Sequence, residues 1–295
     1  MVDSIFSRQN DAFLLRCQVA QSNEYSKAKS LALWKSIFTL IFAILSVVSS
    51  IVNVDWLSAI SSFFAVALAL FNKKSDKEIG AIKKHAALLQ QYIDASLFAP
   101  IVDTSIDEWG NIPNRTDLAE SISQYEATDT SKFVDWYSDY SAMNGEAQVF
   151  YCQKENLRWD YMLHKKYKVF LIVLLCAIAL AILTSFLVIN PSFVRALYVA
   201  SWFLPVAEYG FSIIKEVERS TAILQDAENF TKKVEKKLLS NDTRSIRYDL
   251  IKLQNQIRNR REHGCLIPDW FYCFHKAKQQ ENEDGIARTI RELKK

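Results

Sequence analysis

Long uncharged apolar runs punctuate this chain. No charged residue occurs over 36–54, 56–72 or 169–190, and a fourth apolar segment, 192–214, is interrupted only by Arg195, Pro205 and Glu208. A bilayer core of roughly 30 Å is crossed by about 20 helical residues at 1.5 Å each, so the four segments predict spanning helices. They are paired by two short breaks, Asn53-Val54-Asp55 and Asn190-Pro191-Ser192, made of residues that end helices. The pattern therefore predicts two transmembrane helical hairpins, over 33–71 and 168–214, and their likeness suggests an old duplication.

The remaining segments also carry a helical period. Ile79, Ile82, Ala86, Leu89 and Ile93 recur at three- and four-residue steps, which extends a helix beyond the second apolar run. Ile223, Ala227, Phe230, Val234 and Leu238 do the same after the fourth, and Ile246, Leu250, Leu253 and Ile257 continue the pattern. Pro100, Gly110 and Pro113 predict a loop over 99–116. No alternation is long enough for a strand. The expected fold is an all-α membrane protein: an amphipathic N-terminal segment (1–32), hairpin one (33–71), a central helical region (72–167), hairpin two (168–214) and a helical tail (215–295).

Charge adds orientation. The net charge of +3 is too small to point to a nucleic acid polymer as partner. Lysines flank the apolar runs on one side: Lys27, Lys29 and Lys35 before the first, Lys73, Lys74 and Lys77 after the second, Lys165, Lys166 and Lys168 before the third, Lys215 after the fourth. The breaks carry Asp55 and, nearby, Arg195. By the positive-inside rule both termini and the central region are cytoplasmic. The first thirty residues lack the basic-apolar-cleavage order of a removable signal peptide. Five cysteines, an odd number, argue against a disulfide framework in that compartment.

The chemistry of an enzyme is not legible. The six glycines form no phosphate loop or dinucleotide fingerprint, and no nucleophile elbow or carboxylate pair stands near a histidine, so no catalytic residue and no cofactor is expected. His263, Cys265, Cys273 and His275 are close in sequence, but their one-residue separations match no usual zinc spacing, and packing is the preferred reading. In the apolar runs, Ser46, Ser49, Ser50 and Asn53 share one helical face, and Ser58, Ser61, Ser62, Ala65 and Ala69 share another. Such faces either line a polar path in an oligomer or permit close helix packing. Glu208 would lie roughly 9 Å inside the fourth helix, one turn beyond Pro205, where an ionisable group marks a gate or snorkels to the interface. Elsewhere cations and rings adjoin: Arg158 with Trp159, and Arg258, Arg260 and Arg261 ahead of Trp270, Phe271 and Tyr272. Guanidinium groups grip phosphate while rings stack on bases, and the competing reading is membrane-facing charge with core aromatics.

Several blocks carry a resemblance. They are Ile5-Phe6-Ser7-Arg8-Gln9-Asn10, Tyr25-Ser26-Lys27-Ala28-Lys29, Leu88-Leu89-Gln90-Gln91-Tyr92-Ile93-Asp94 with Leu97-Phe98, Asp135-Trp136-Tyr137-Ser138, Cys152-Gln153-Lys154-Glu155-Asn156-Leu157-Arg158-Trp159-Asp160, and Leu253-Gln254-Asn255-Gln256-Ile257 leading to Ile267-Pro268-Asp269-Trp270-Phe271-Tyr272. In this order around four apolar runs, the chain resembles the SMODS-associated four-transmembrane effectors of bacterial cyclic-oligonucleotide antiphage systems. It departs from the pattern in having no proline after Ser138 and in having His164 where arginine is expected. The resemblance implies a pore-forming effector, silent until a partner nucleotidyltransferase makes a cyclic di- or trinucleotide, which then drives homo-oligomerisation or opening and breaches the inner membrane. The expected ligand-binding residues are Arg158, Trp159, Arg258, Arg261, Asp269 and Trp270; the expected pore or gate residues are Ser46, Ser49, Ser50, Asn53, Pro205 and Glu208. A constitutive ion channel or secondary transporter is the alternative, with Pro205 and Glu208 as its only hint of a midplane site.

Overall fold

The computed structural model describes residues 4–52, 55–125, 129–189, 193–240 and 245–293, and side chains within them except at 42–52, 55–62, 64, 65, 182, 185–189 and 193–206. Eight α-helices and no strands occur among the described residues: α1 (Ile5–Arg8), α2 (Ala12–Val52), α3 (Asp55–Phe98), α4 (Arg115–Ser123), α5 (Gly145–Ile189), α6 (Phe193–Leu239), α7 (Ile246–His263) and α8 (Asp269–Leu293). Short 3-10 turns at Ala99–Ile101, Ile106–Trp109 and Ser131–Phe133 fill the connections. The starts are set by capping side chains that satisfy orphan amides. Asp11 Oδ1 accepts from Phe13 N at 2.9 Å, Asn114 Oδ1 from Asp117 N at 2.8 Å, and Asn144 Oδ1 from Ala147 N at 2.9 Å.

Four helices dominate. With 41, 44, 45 and 47 residues, α2, α3, α5 and α6 are each about 60–70 Å long at 1.5 Å per residue. They run without a break through the boundaries drawn from sequence at 32/33, 71/72, 167/168 and 214/215. The four apolar runs thus lie at the α2–α3 and α5–α6 ends of two long hairpins. Most of those runs falls on side chains outside the description, and among the described residues no helix is long and apolar enough to cross a membrane. Ser46, Ser49, Ser50 and Pro205 are among the undescribed side chains, and Asn53 lies outside the described residues; α6 continues through Pro205.

Away from the apolar ends the helices join in one body. α7 packs against α3, α5 and α6, and so stitches the two hairpins together. Its inward face is Ile246, Leu250, Leu253 and Ile257, each no more than 1% exposed, meeting Leu89, Ile93 and Phe98 of α3, Phe150 of α5 and Leu224 of α6 in the main core. Ala86, Leu89 and Ile93 are buried where the helical period placed them; Ile79 and Ile82 are half-buried. A second cluster sits closer to the apolar ends: Leu163, Tyr167 and Leu171 of α5, Ile214 and Val217 of α6, Cys265 and Ile267 of the α7–α8 connection, and Phe271 of α8.

Gly110 and Gly264 are among the glycines that mark close approaches a side chain would block. Gly110, at φ +102°, ends the 3-10 turn Ile106–Trp109 within the expected loop over 99–116, and a Cβ there would stand 2.7 Å from Asn255 Oδ1. At Gly264 a Cβ would meet the Arg260 carbonyl at 2.6 Å. That tight corner lets three helices hold the connection: Lys83 Nζ of α3 donates to the Gly264 carbonyl at 2.5 Å, and Ser220 Oγ of α6 accepts from Cys265 N at 2.6 Å just after α7 ends.

Candidate functional site

Where the hairpins meet, the core is polar. Asp94 and Arg261 form an ion pair at 2.5 Å, with side chains 3% and 4% exposed. Tyr137 donates to Asp94 Oδ1 at 2.6 Å, Asn156 Nδ2 donates to the Tyr137 hydroxyl at 2.7 Å, and Gln254 Nε2 donates to Asp94 Oδ2 at 2.8 Å. Gln153 Nε2 donates to Gln254 Oε1 at 3.1 Å, and Gln9 brackets the Tyr137 backbone, accepting from its amide at 2.7 Å and donating to its carbonyl at 3.1 Å. A buried charge is tolerated when it is paired and its lone pairs are filled, as here. Gln9, Asp94, Tyr137, Gln153, Asn156 and Gln254 come from five sequence blocks far apart in the chain, and folding gathers them into one network.

On one side of this network opens a cavity of about 970 Å³. Tyr25, Ser26 and Lys29 of α2 form one wall, Glu155, Asn156, Trp159 and Asp160 of α5 another, and Tyr137 and Arg261 reach it from the network. Trp136, the α7–α8 corner, and Tyr272, Lys276, Asp284 and Arg288 of α8 complete it. The volume is at the upper end of the range for small-molecule sites, roughly 300–1,000 Å³. Its chemistry is aromatic surface with charge. The rings of Trp159 and Tyr272 are 6.3 Å apart. Lys29 pairs with Asp269 at 2.5 Å, Arg291 pairs with Asp139 at 2.8 Å, and Arg260 pairs with Asp160. Among the described residues Lys276 and Arg288 make no ion pair, and Lys276 only donates to the Lys132 carbonyl at 3.3 Å.

Two titratable groups here are displaced from their ordinary ranges. Burial pushes the His164 imidazole down to about 4, aided by the neighbouring Arg260 guanidinium, so it is neutral near pH 7. Its Nδ1 lies 2.7 Å from the Asp160 carbonyl and 3.3 Å from Arg260 Nη2. Burial, with the nearby Glu283 carboxylate, raises Glu155 to about 7 despite hydrogen bonds from Ser138. Arg158 and Asp284 stand beside it, the first tied to Glu283 and the second to Ser138 Oγ at 3.0 Å. Because the folded value lies above the unfolded one near 4.5, folding takes up a proton between those limits, and this contribution to stability is full below pH 4.5 and lost as the pH rises through 7. His164 has the opposite sign, losing stability as the pH falls from 6.5 to about 4, so the two contributions oppose each other where the windows overlap. Comparison with Glu155→Gln isolates the first. Relative to the parent, that variant is expected to gain stability between pH 4.5 and 7, by on the order of 3 kcal/mol, and to gain nothing further above pH 7; denaturant midpoints along the pH series check it.

Of the six residues expected to bind ligand, Trp159, Arg261 and Asp269 line the cavity. Asp269 accepts from Ser26 Oγ at 3.1 Å as well as from Lys29. Arg158 turns away and clamps Glu283 of α8 through Nε at 2.8 Å and through Nη2. Arg258 is half-buried outside the cavity, its Nε without a hydrogen-bond partner among the described residues. Trp270 is 58% exposed, with its ring edge-on to Phe170 at 5.4 Å. Helical geometry explains the split. Adjacent residues point about 100° apart, and here Trp159 faces the cavity while Arg158 is directed at Glu283 of α8. Counting three and four from buried Ile257 selects Arg260 and Arg261 and rejects Arg258; on α8 the same count is no guide, since from buried Phe271 it selects Phe274, which is 80% exposed, and passes over Tyr272, which lines the cavity. Lys29, Trp136, Glu155, Lys276 and Arg288 were not among the expected site residues; Lys29, Trp136 and Glu155 lie within the blocks that carry the resemblance, whereas Lys276 and Arg288 carry no local signal. Glu208 is exposed on α6, and beside it the Tyr209 hydroxyl donates to Ser36 Oγ of α2, linking the hairpins. Of the four residues weighed as metal ligands, Cys265 is buried while His263 and Cys273 are exposed, and among the described residues no three potential ligands converge.

Fold and cavity together define an all-helical protein in which two long hairpins share a polar, aromatic-lined chamber at their common base. The chain belongs to the SMODS-associating 4TM effector domain family, whose model matches residues 3–292. Membership places it among four-transmembrane effectors associated with SMODS nucleotidyltransferase signalling. No curated protein and no solved structure matches it.

Proposed function

We infer that the chamber is the sensor of a cyclic di- or trinucleotide, and that its occupation drives the two hairpins to assemble or open across the inner membrane, with the chamber on the cytoplasmic side. The carrying observation is the pairing of Lys29 with Asp269 and of Arg260 with Asp160 inside a chamber that also presents the Trp159 and Tyr272 rings. The first pair joins α2 to α8 and the second joins α7 to α5, so both are links between separate helices. Phosphates entering beside the unpaired Lys276 and Arg288 compete for Lys29 and Arg260, and the displaced carboxylates release those links. A ligand shifts an equilibrium only by its differential affinity for the two states, and exchange of ion pairs supplies such a difference.

The same reading makes the protein an effector without catalysis, in which a subunit of four apolar helices needs further copies to enclose a wide path. A purified preparation in detergent, titrated with a panel of cyclic di- and trinucleotides while particle mass is followed, tests it. The expected result is saturable binding of at least one panel member, accompanied by growth of the particle. Absence of any binder, together with substrate-dependent flux in reconstituted vesicles, would favour a channel or transporter instead.

A further inference from the structure

We propose that the first two turns of α8 form an interfacial anchor that inserts into the headgroup layer of an anionic membrane, an inference that rests on the membrane reading above. Trp270 and Phe274, one helical turn apart, are 58% and 80% exposed, whereas Phe271 between them is buried in the second core cluster. This outward aromatic face is continuous with the surface that meets lipid. The Trp270 ring stands against Phe170, the second residue of the third apolar run, and beside it Val169 and Val173 expose 55% and 60% of their surface along α5.

The depth is fixed by packing. Phe271 sits on Tyr167 with ring centroids 5.1 Å apart, so these turns are docked at the lower edge of the apolar run and share the motion of α5. Cations complete the surface: Lys166 of α5 and Lys278 of α8 both lie near enough to His275 to hold its imidazole below the usual range, after burial. Aromatic rings flanked by lysines at the level where an apolar helix ends are what the boundary between hydrocarbon and headgroups selects, and the lysines favour anionic lipid. An apolar protein partner would be met by neither the lysines nor the continuity with α5.

Coupling follows from position. Asp269, which opens α8, is also the partner of Lys29 in the chamber, so release of that pair acts on a helix anchored at the membrane surface.

The test places nitroxide labels on the full chain in nanodiscs containing phosphatidylglycerol. The exposed Cys176 and Cys273 are first changed to serine, and Phe274→Cys, Val66→Cys and Leu293→Cys are labelled one at a time; the last two sites are 63% and 83% exposed. Depth is read from collision with oxygen against a water-soluble nickel chelate. The label at 274 is expected about 5–10 Å below the headgroup boundary, that at 66 in the hydrocarbon, and that at 293 in water. A label at 274 as water-exposed as that at 293, with 66 in lipid, overturns the anchor and leaves the membrane reading standing. Spin–spin broadening at 274 without lipid contact overturns it in favour of a second copy of the chain, and water exposure at 66 overturns both readings.

Discussion

Arg261→Ala is expected to destabilise the protein by roughly 3–5 kcal/mol, enough to leave much of it unfolded, because it strands the Asp94 carboxylate in the core. The guanidinium is fully enclosed and lies 2.5 Å from Asp94, and the carboxylate also receives Tyr137 and Gln254. Removing the cation leaves two neutral donors to support a buried charge. Asp94→Asn with Arg261→Met, which takes away both charges, is expected to cost less than either charge deleted alone, since no ion then remains unpaired. Guanidinium denaturation of the detergent-solubilised variants measures both; a double-variant loss equal to the sum of the two single losses would show that the pair is not a coupled unit.

The second large effect is on binding. Trp159→Ala is expected to weaken the cyclic oligonucleotide by about 1–3 kcal/mol, roughly 5- to 150-fold, the loss that stacked bases suffer when a platform ring is removed. Trp270→Ala, outside the chamber, is expected to leave affinity unchanged, although both positions pair a tryptophan with nearby cations in the sequence. Calorimetric titration of the two variants against the parent separates them, and comparable losses at both positions would place the ligand elsewhere.

Much of the helical architecture was legible before any coordinates. The periods through Ala86, Leu89 and Ile93 and through Ile246 to Ile257 name buried faces that the fold uses, because a helix that buries one stripe must repeat apolar residues at that spacing. Length and pairing of the long helices were less legible. The helix over 72–98 was readable from its period, but its packing against α7, far downstream, leaves no mark in the sequence.

The site divides the same way. Trp159, Arg261 and Asp269 stood in clusters that a sequence reader notices, but a cluster of neighbours on a helix points in several directions, and Arg158, Arg258 and Trp270 went elsewhere. Lys29 and Glu155 belong to the chamber only because α2, α5 and α8 converge there. A lysine before an apolar run reads first as a topology signal, and nothing in its neighbours announces Asp269, 240 positions away. Glu155 is unremarkable until burial and Glu283 surround it, and both are consequences of tertiary packing.

Ligand-gated leakage from sealed vesicles measures the claim that joins chamber to membrane. Purified protein reconstituted into liposomes filled with a small self-quenched dye is predicted to hold the dye until a bound cyclic di- or trinucleotide is added, then to release it, with Trp159→Ala needing proportionately more ligand. Release in the absence of any nucleotide, or retention of dye by protein shown to be saturated with ligand, would contradict the account.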